Sequence, residues 1–388
     1  MIRVVARPAR AVELLGAVVT RTAVVLAVLV GAAAVVVVDA LPAWAHGVGG
    51  VQPTNYRTTV RGVEPAVPGL TVRSVDLGGK LELTNTTGTD AVVLGYQGEP
   101  YLRVGPRGVY ENTKSPAVFL NRSTIPTASA PPSYDANAAP GWRKISSSRT
   151  ARWHDHRAHW MGGAAPPQVT RDPGHSHVVI GGWQVPIDYG TRRLHAVGDV
   201  TWVPGPSVLP WIGIAVGLAA LVVLASRTRI WPAVLGVAIA LLVAGEAMHV
   251  AGYWGASTAS TLSDVGSSIY SIAGCVVGIG ALAMLLRRGR DPYDATPMIL
   301  IAAVFLLVAG GFADITSITR SQVPSTLPDV LARGVVTNAL GLGVGTVVAA
   351  ALRLRRPRPV RTARHGDTTA ARRPAGTVDQ VTGPQRVP

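Results

Sequence analysis

The 388-residue chain has a single cysteine, Cys275. An intrachain disulfide and a multi-cysteine zinc or iron–sulfur site are therefore excluded, and any metal site must be built from histidine and carboxylate. Charged residues are scarce at 15%. The chain also lacks the Gly-x-Ser-x-Gly of serine hydrolases, the Gly-Lys-Ser/Thr phosphate loop and the His-Glu-x-x-His of zinc proteases. No catalytic residue can be assigned on those grounds, a non-enzymatic role is expected, and nothing supports ATP-driven pumping by this chain alone. No internal repeat is present.

What is abundant is apolar: 48% of residues are hydrophobic and the mean hydropathy is +0.31, outside the usual range of a soluble globular protein. A purely cytosolic enzyme does not fit. Net charge is +15, from 36 Lys and Arg against 21 Asp and Glu. In a soluble protein that excess would suggest nucleic acid. Here the basic residues flank apolar segments or lie in the tail 353–388, where the positive-inside rule explains them, and no nucleic-acid partner is expected.

Arg3, Arg7, Arg10 and Arg21 precede the apolar run 22–38, and Ala43-Trp44-Ala45 follows it. This is the pattern of a secretory signal peptide over residues 1–45, with cleavage leaving His46 as the first residue; an uncleaved anchor is the alternative. Residues 46–206 read as an extracytoplasmic all-β domain, a sandwich of cupredoxin-like or immunoglobulin-like type. Strands are expected at 81–85, 91–96, 151–156, 177–185 and 193–203, with a long surface loop at 123–140. An all-α membrane domain follows at 207–353, with five transmembrane helices at 207–226, 230–254, 266–286, 296–318 and 334–353. Basic residues after the first, third and fifth segments place those loops in the cytoplasm and the β domain outside. The basic, proline-rich tail 354–388 reads as disordered. The fold class is thus mixed, in a multi-pass protein of the cytoplasmic membrane with the lipid bilayer as its first partner.

Seven of the nine histidines fall in the outer domain. Imidazole favours copper, zinc or nickel over calcium or magnesium. The densest run is Trp153-His154-Asp155-His156-Arg157-Ala158-His159-Trp160-Met161. On a strand, His154 and His156 share a face and converge on one ion, while His159 points the other way. A cleaved His46 adds an α-amino nitrogen and an imidazole nitrogen, so three residues supply four nitrogens, a set suited to Cu(II). Copper is therefore the expected cofactor, with His46, His154 and His156 as ligands. His159 and Met161 either extend the site or pack. A second His-x-His, His175-Ser176-His177, is either a loop site or a turn entering a strand. In the second apolar segment Glu246 and His249 share a helix face, and Asp314 lies late in the fourth. Ionisable groups at membrane depth are functional candidates, so the three form an intramembrane relay for a metal ion or proton, with Met248 and Cys275 as soft ligands; helix packing is the alternative.

His46-Gly47 as the mature start, with Trp153-His154-Asp155-His156 about a hundred residues later, resembles the copper-carrying, periplasm-facing subunit of particulate methane and ammonia monooxygenases. That resemblance implies a cupredoxin-like domain and copper ligands at His46, His154 and His156. Five expected spans depart from that subunit's two, so monooxygenase activity is not implied. In layout the chain is also similar to periplasmic copper-resistance proteins fused to a multi-span membrane domain, although their Asp-x-His motif is missing beside His156. As a whole it resembles a family of actinobacterial multi-span membrane proteins carrying a Trp-His-Asp-His motif, which implies the layout and no activity. Three functions follow: copper acquisition, transfer or homeostasis at the envelope; a component of a membrane copper oxidase or monooxygenase; or a metal-free envelope scaffold whose β domain binds a protein partner.

Overall fold

In the computed structural model, residues 51–122, 129–287, 289 and 291–355 are described. The expected signal peptide, His46 and the tail beyond residue 355 lie outside them, as does part of the expected 123–140 loop; its described part, 129–140, contains no helix or strand.

Ten strands come first: β1 (Tyr56–Glu64), β2 (Leu70–Val75), β3 (Lys80–Asn85), β4 (Ala91–Leu94), β5 (Pro100–Gly105), β6 (Gly108–Asn112), β7 (Trp142–Ser146), β8 (Thr150–Trp153), β9 (His177–Tyr189) and β10 (Arg192–Trp202). They form two antiparallel sheets, one ordered β1-β10-β9-β4-β5-β6-β7 and the other β2-β3-β8. Alternation explains how the sheets meet. Val185 and Ile187 on β9, Leu194 and Ala196 on β10, and Val93 and Val104 face one core. Leu81, Leu83, Ala151 and Trp153 enter that core from the smaller sheet. Between β9 and β10 the chain reverses in two residues, and Gly190 at φ +59° supplies the left-handed backbone such a turn needs. Five strands, β1, β2, β5, β6 and β7, lie outside the segments expected from sequence. The expected strand 151–156 stops at Trp153, because Asp155 turns the chain into a short 3-10 segment, His156–Ala158.

The helical part contains α3 (Leu209–Ala225), α4 (Trp231–Ala256), α5 (Thr261–Ser267), α6 (Ile269–Leu286), α7 (Thr296–Leu307) and α8 (Asp329–Leu354), after two short helices, α1 (Pro116–Leu120) and α2 (Pro167–Arg171), in the β region. Four helical stretches are long and apolar enough to cross a membrane: α4 and α8 with 26 residues each, α6 with 18, and Pro292–Phe312, which includes α7, with 21. At about 1.5 Å per residue each approaches or exceeds a ~30 Å hydrocarbon core. The expected first span is an apolar helix of 17 residues, α3, shorter than the segment read from sequence. The expected fourth span is not one continuous α-helix: α7 runs into a π-turn, Val308–Phe312, and then a 3-10 turn, Ile315–Ile318. Large apolar side chains such as Leu221, Val237, Val276 and Ile279 stand exposed on the outside of the bundle, where lipid would meet them.

Two buried arginines fix the turns and loops of the helical part. Arg353 donates to the carbonyls of Ser226 and Thr228 and lies over the Trp231 ring, which fastens the end of α8 to the α3–α4 turn. Arg333 donates to the carbonyls of Ser317, Arg320 and Ser321 and pairs with Asp329 at 3.3 Å, holding the 317–321 loop. That loop meets the β region: Ser321 N–H donates to Asn55 Oδ1 (2.7 Å), the Gln322 side chain donates to the Tyr56 carbonyl (2.8 Å), and Thr54 and Gln322 form an antiparallel bridge. All described residues fall within one compact unit.

Candidate metal centre

β8 ends where three polar side chains converge. The Trp153 indole donates to Asp155 Oδ2 (2.9 Å), and Asp155 Oδ1 accepts the Arg157 amide (3.1 Å), capping the 3-10 turn. Arg157 returns to both oxygens of Asp155 at 2.8 Å, donates to the Leu94 and Gly95 carbonyls, and lies over the Tyr96 ring. Asp155 is thus fully engaged as a clamp and offers no ligand. Its work is to bend the chain so that the residues on either side meet.

The bend gathers three imidazoles. The His154 ring centre is 5.1 Å from that of His156 and 5.2 Å from that of His159. His154 and His156 approach each other across a turn and not along a strand, and for the same reason His159 joins them instead of pointing away. The His156 amide donates to the Tyr96 hydroxyl (3.0 Å). His154 Nδ1 lies 2.6 Å from the Gly79 carbonyl, and the His159 ring bonds to the Gly78 backbone. A carbonyl only accepts, so Nδ1 carries the proton and Nε2 of His154 is left with a lone pair. That Nε2 is buried, has no hydrogen-bond partner among the described residues, and belongs to a residue only 7% exposed.

Burial disfavours the charged imidazolium and lowers the pKa of His154 against the opposing Gly79 bond. Burial, reinforced by His154, brings His159 down to about 4. Both rings are accordingly neutral near pH 7, the form that binds metals. Among the described residues no three His, Cys, Asp or Glu side chains are placed so that they could hold one ion as they stand.

His175 and His177 have a different surrounding. His175 Nδ1 is 2.7 Å from Asp172 Oδ1, and His177 Nε2 is 2.6 Å from the Asp172 carbonyl. Both interactions organise the turn into β9 at the surface, and the Asp172 carboxylate raises the pKa of His175.

Within the bundle the structure unites all three expected residues. His249 Nε2 is 2.9 Å from Asp314 Oδ2. Glu246 and Asp314 are 3% and 2% exposed. The Glu246 carboxylate lies against Gly310 in the π-turn, so closely that a Cβ there would come within 1.8 Å of Oε2. π-Turns are common at functional positions, and within this one the glycine at 310 leaves the room that the carboxylate occupies. Met248 is 40% exposed, and Cys275 Sγ is directed at the Val243 carbonyl at 3.9 Å. Cys275 also interacts electrostatically with Glu246.

Residues that sequence reading passed over lie in the β2–β3 turn. Asp76 and Leu77 both have φ of +53° and Gly78 has +92°, an unusual run for two non-glycine residues. Asp-Leu-Gly-Gly between two alternating segments was the available signal. No known family matches this chain, and no curated protein or solved structure is significantly similar to it.

Proposed function

We propose that this protein handles copper at the outer face of a bacterial cytoplasmic membrane, binding one ion through His46, His154 and His156. The observation that carries the reading is Nε2 of His154: a buried nitrogen with a free lone pair on a neutral ring, and two further imidazoles about 5 Å away. Leaving such an atom unbonded costs about 1–3 kcal/mol, which a metal ion would offset. His159 is the reserve donor in this reading.

The described donors do not close a site, and the missing ligand is His46. It lies five residues before Val51, and Val51 lines a 330 Å³ cavity together with Gly78, whose backbone bonds His159. Five extended residues span about 17 Å at ~3.3–3.6 Å each. A free α-amine on His46 would complete a four-nitrogen set suited to Cu(II). In this reading the sheets form a cupredoxin-like sandwich, α3 is a fifth, short span, and the β region faces out because the basic loops face in. Glu246, His249 and Asp314 form the next station for the ion inside the bundle.

Intact mass and metal content of the protein from its native membrane test this. A chain beginning at His46 with about one copper per molecule is expected, and His154→Ala with His156→Ala should abolish high-affinity binding. A chain retaining residues 1–45, or unchanged copper stoichiometry in the double variant, would overturn the site.

A further inference from the structure

We propose that the cleft between the small sheet and the end of α4 binds a phosphate group through Arg73 and Arg152. The cleft has a volume of 430 Å³ and is lined by Arg73, Asp76, Arg152, Ser257 and Thr258, among others. It is independent of the histidines and of the copper reading.

Three observations converge on an anion. First, the two guanidiniums are fixed by one buried carboxylate: Arg73 Nε donates to Glu82 Oε1 (2.5 Å) and Arg152 Nε to Glu82 Oε2 (2.6 Å). β2, β3 and β8 put them there by register, since Arg73 and Arg152 both pair with Glu82 across the sheet. Burial opposes ionisation of Glu82, but the two arginine hydrogen bonds hold its carboxyl below the usual range, so it stays charged as the anchor. Second, each arginine uses only Nε for this; among the described residues neither one's Nη groups bond to protein, which leaves two guanidinium edges free. Planar guanidinium edges match phosphate oxygens in pairs.

Third, the other polar groups of the cleft are already matched. Asp76 is held by Lys80 Nζ (2.8 Å) and by the Thr258 hydroxyl (2.8 Å), and the Ser257 hydroxyl donates to Asp264 Oδ1 (2.8 Å). Lys80 matches Asp76, and the two arginines outnumber Glu82 by one positive charge at the guanidinium pair itself, while Asp264, bonded to the Ser257 hydroxyl, is the third carboxylate near the cleft. Position supplies the chemistry of the ligand. Ala256, which also lines the cleft, is the last residue of the membrane-length helix α4, so the cleft lies where that helix leaves the apolar layer and where lipid phosphates are concentrated.

Removing the arginines alone would strand Glu82, so the principal variant neutralises the whole group: Arg73→Gln, Glu82→Gln and Arg152→Gln together. Arg73→Gln alone, which leaves Glu82 paired with Arg152, is the second variant. The full chain in a phosphate-free maltoside detergent is titrated calorimetrically with inorganic phosphate and, separately, with a short-chain phosphatidylglycerol. Saturable binding of about one ligand per chain is expected in at least one titration. It should weaken at least about tenfold in the triple variant and at least about threefold in the single one. Binding of phosphatidylglycerol alone identifies a lipid headgroup, and binding of inorganic phosphate as well identifies a soluble ligand; both support the proposal. No binding in either titration, or wild-type affinity in the variants, overturns it. Copper content measured on the same samples should not change, which separates this outcome from failure of the histidine site.

Discussion

His154 Nδ1 lies 2.6 Å from the Gly79 carbonyl, and the turn that presents this carbonyl also grips the helical part of the molecule. Asp76, three residues earlier, accepts from the Thr258 hydroxyl at 2.8 Å, just beyond the end of α4. α4 carries Glu246 and His249. The histidine cluster and the intramembrane group are therefore joined through one short, left-handed turn. Thr258→Val keeps the shape of the side chain and removes its hydrogen bond. It should cost about 1.5–3 kcal/mol, the range for a bond to a charged group, and speed amide exchange in β2 and β3 of the full chain in detergent. Unchanged exchange there would show that the turn is held without Thr258.

Gly310 provides a test of the contact with Glu246. Its Cβ would meet the Glu246 carboxylate, whereas Gly334 in α8 has open space around it. Gly310→Ala should lower stability by about 1–3 kcal/mol, as overpacking does, while Gly334→Ala should be neutral or stabilising by up to ~1 kcal/mol from helix propensity. The obstacle is a side chain and not backbone, so Gly310→Ala should cost much less in a Glu246→Ala background. A thermal double-mutant cycle reads this coupling, and strict additivity would show that Gly310 does not sense Glu246.

The large divisions of this fold were legible because they are periodic or compositional. Apolar runs near 20 residues announced five spans, of which four are membrane-length helices, and alternation announced β3, β4, β8, β9 and β10. Strands such as β5 and β6 escaped because their side chains are buried in an irregular order inside the larger sheet. At the site, the sequence showed three histidines but assigned their geometry to a strand. Asp155 decided otherwise through its contacts with Trp153 and Arg157, and a side chain's choice to cap a turn depends on partners brought from β8 and β4. The His249–Asp314 pair was legible as two costly charges and Glu246 by its spacing from His249 on one helix face, but the π-turn whose Gly310 lies against Glu246 has no simple sequence period.

Arg353 looked like one more positive-inside charge, yet it is buried against Trp231 and bonded to two carbonyls of the α3–α4 turn. Charge alone would make lysine an adequate replacement. Stacking and forked donation require a guanidinium. Arg353→Lys should therefore destabilise the full chain by about 1–3 kcal/mol, visible as a lower thermal midpoint in detergent. A midpoint equal to wild type would reduce Arg353 to a topological charge.

His159 makes the stability of the metal-free protein depend on pH. Burial, aided by His154, lowers its folded value to about 4 from the ordinary 6.5. Between those values the unfolded chain takes up a proton that the folded chain refuses, so protonation favours unfolding. The stabilising effect of a neutral His159 is fully present above pH 6.5, is lost progressively as pH falls toward about 4, and changes no further below that. His154, also lowered by burial, acts in the same direction. Thermal midpoints of the full chain, followed by tryptophan fluorescence after chelation, should fall across this window. His159→Gln, which cannot titrate, should flatten the slope. An equally steep fall in that variant would mean that the histidine cluster does not set the acid sensitivity of the fold.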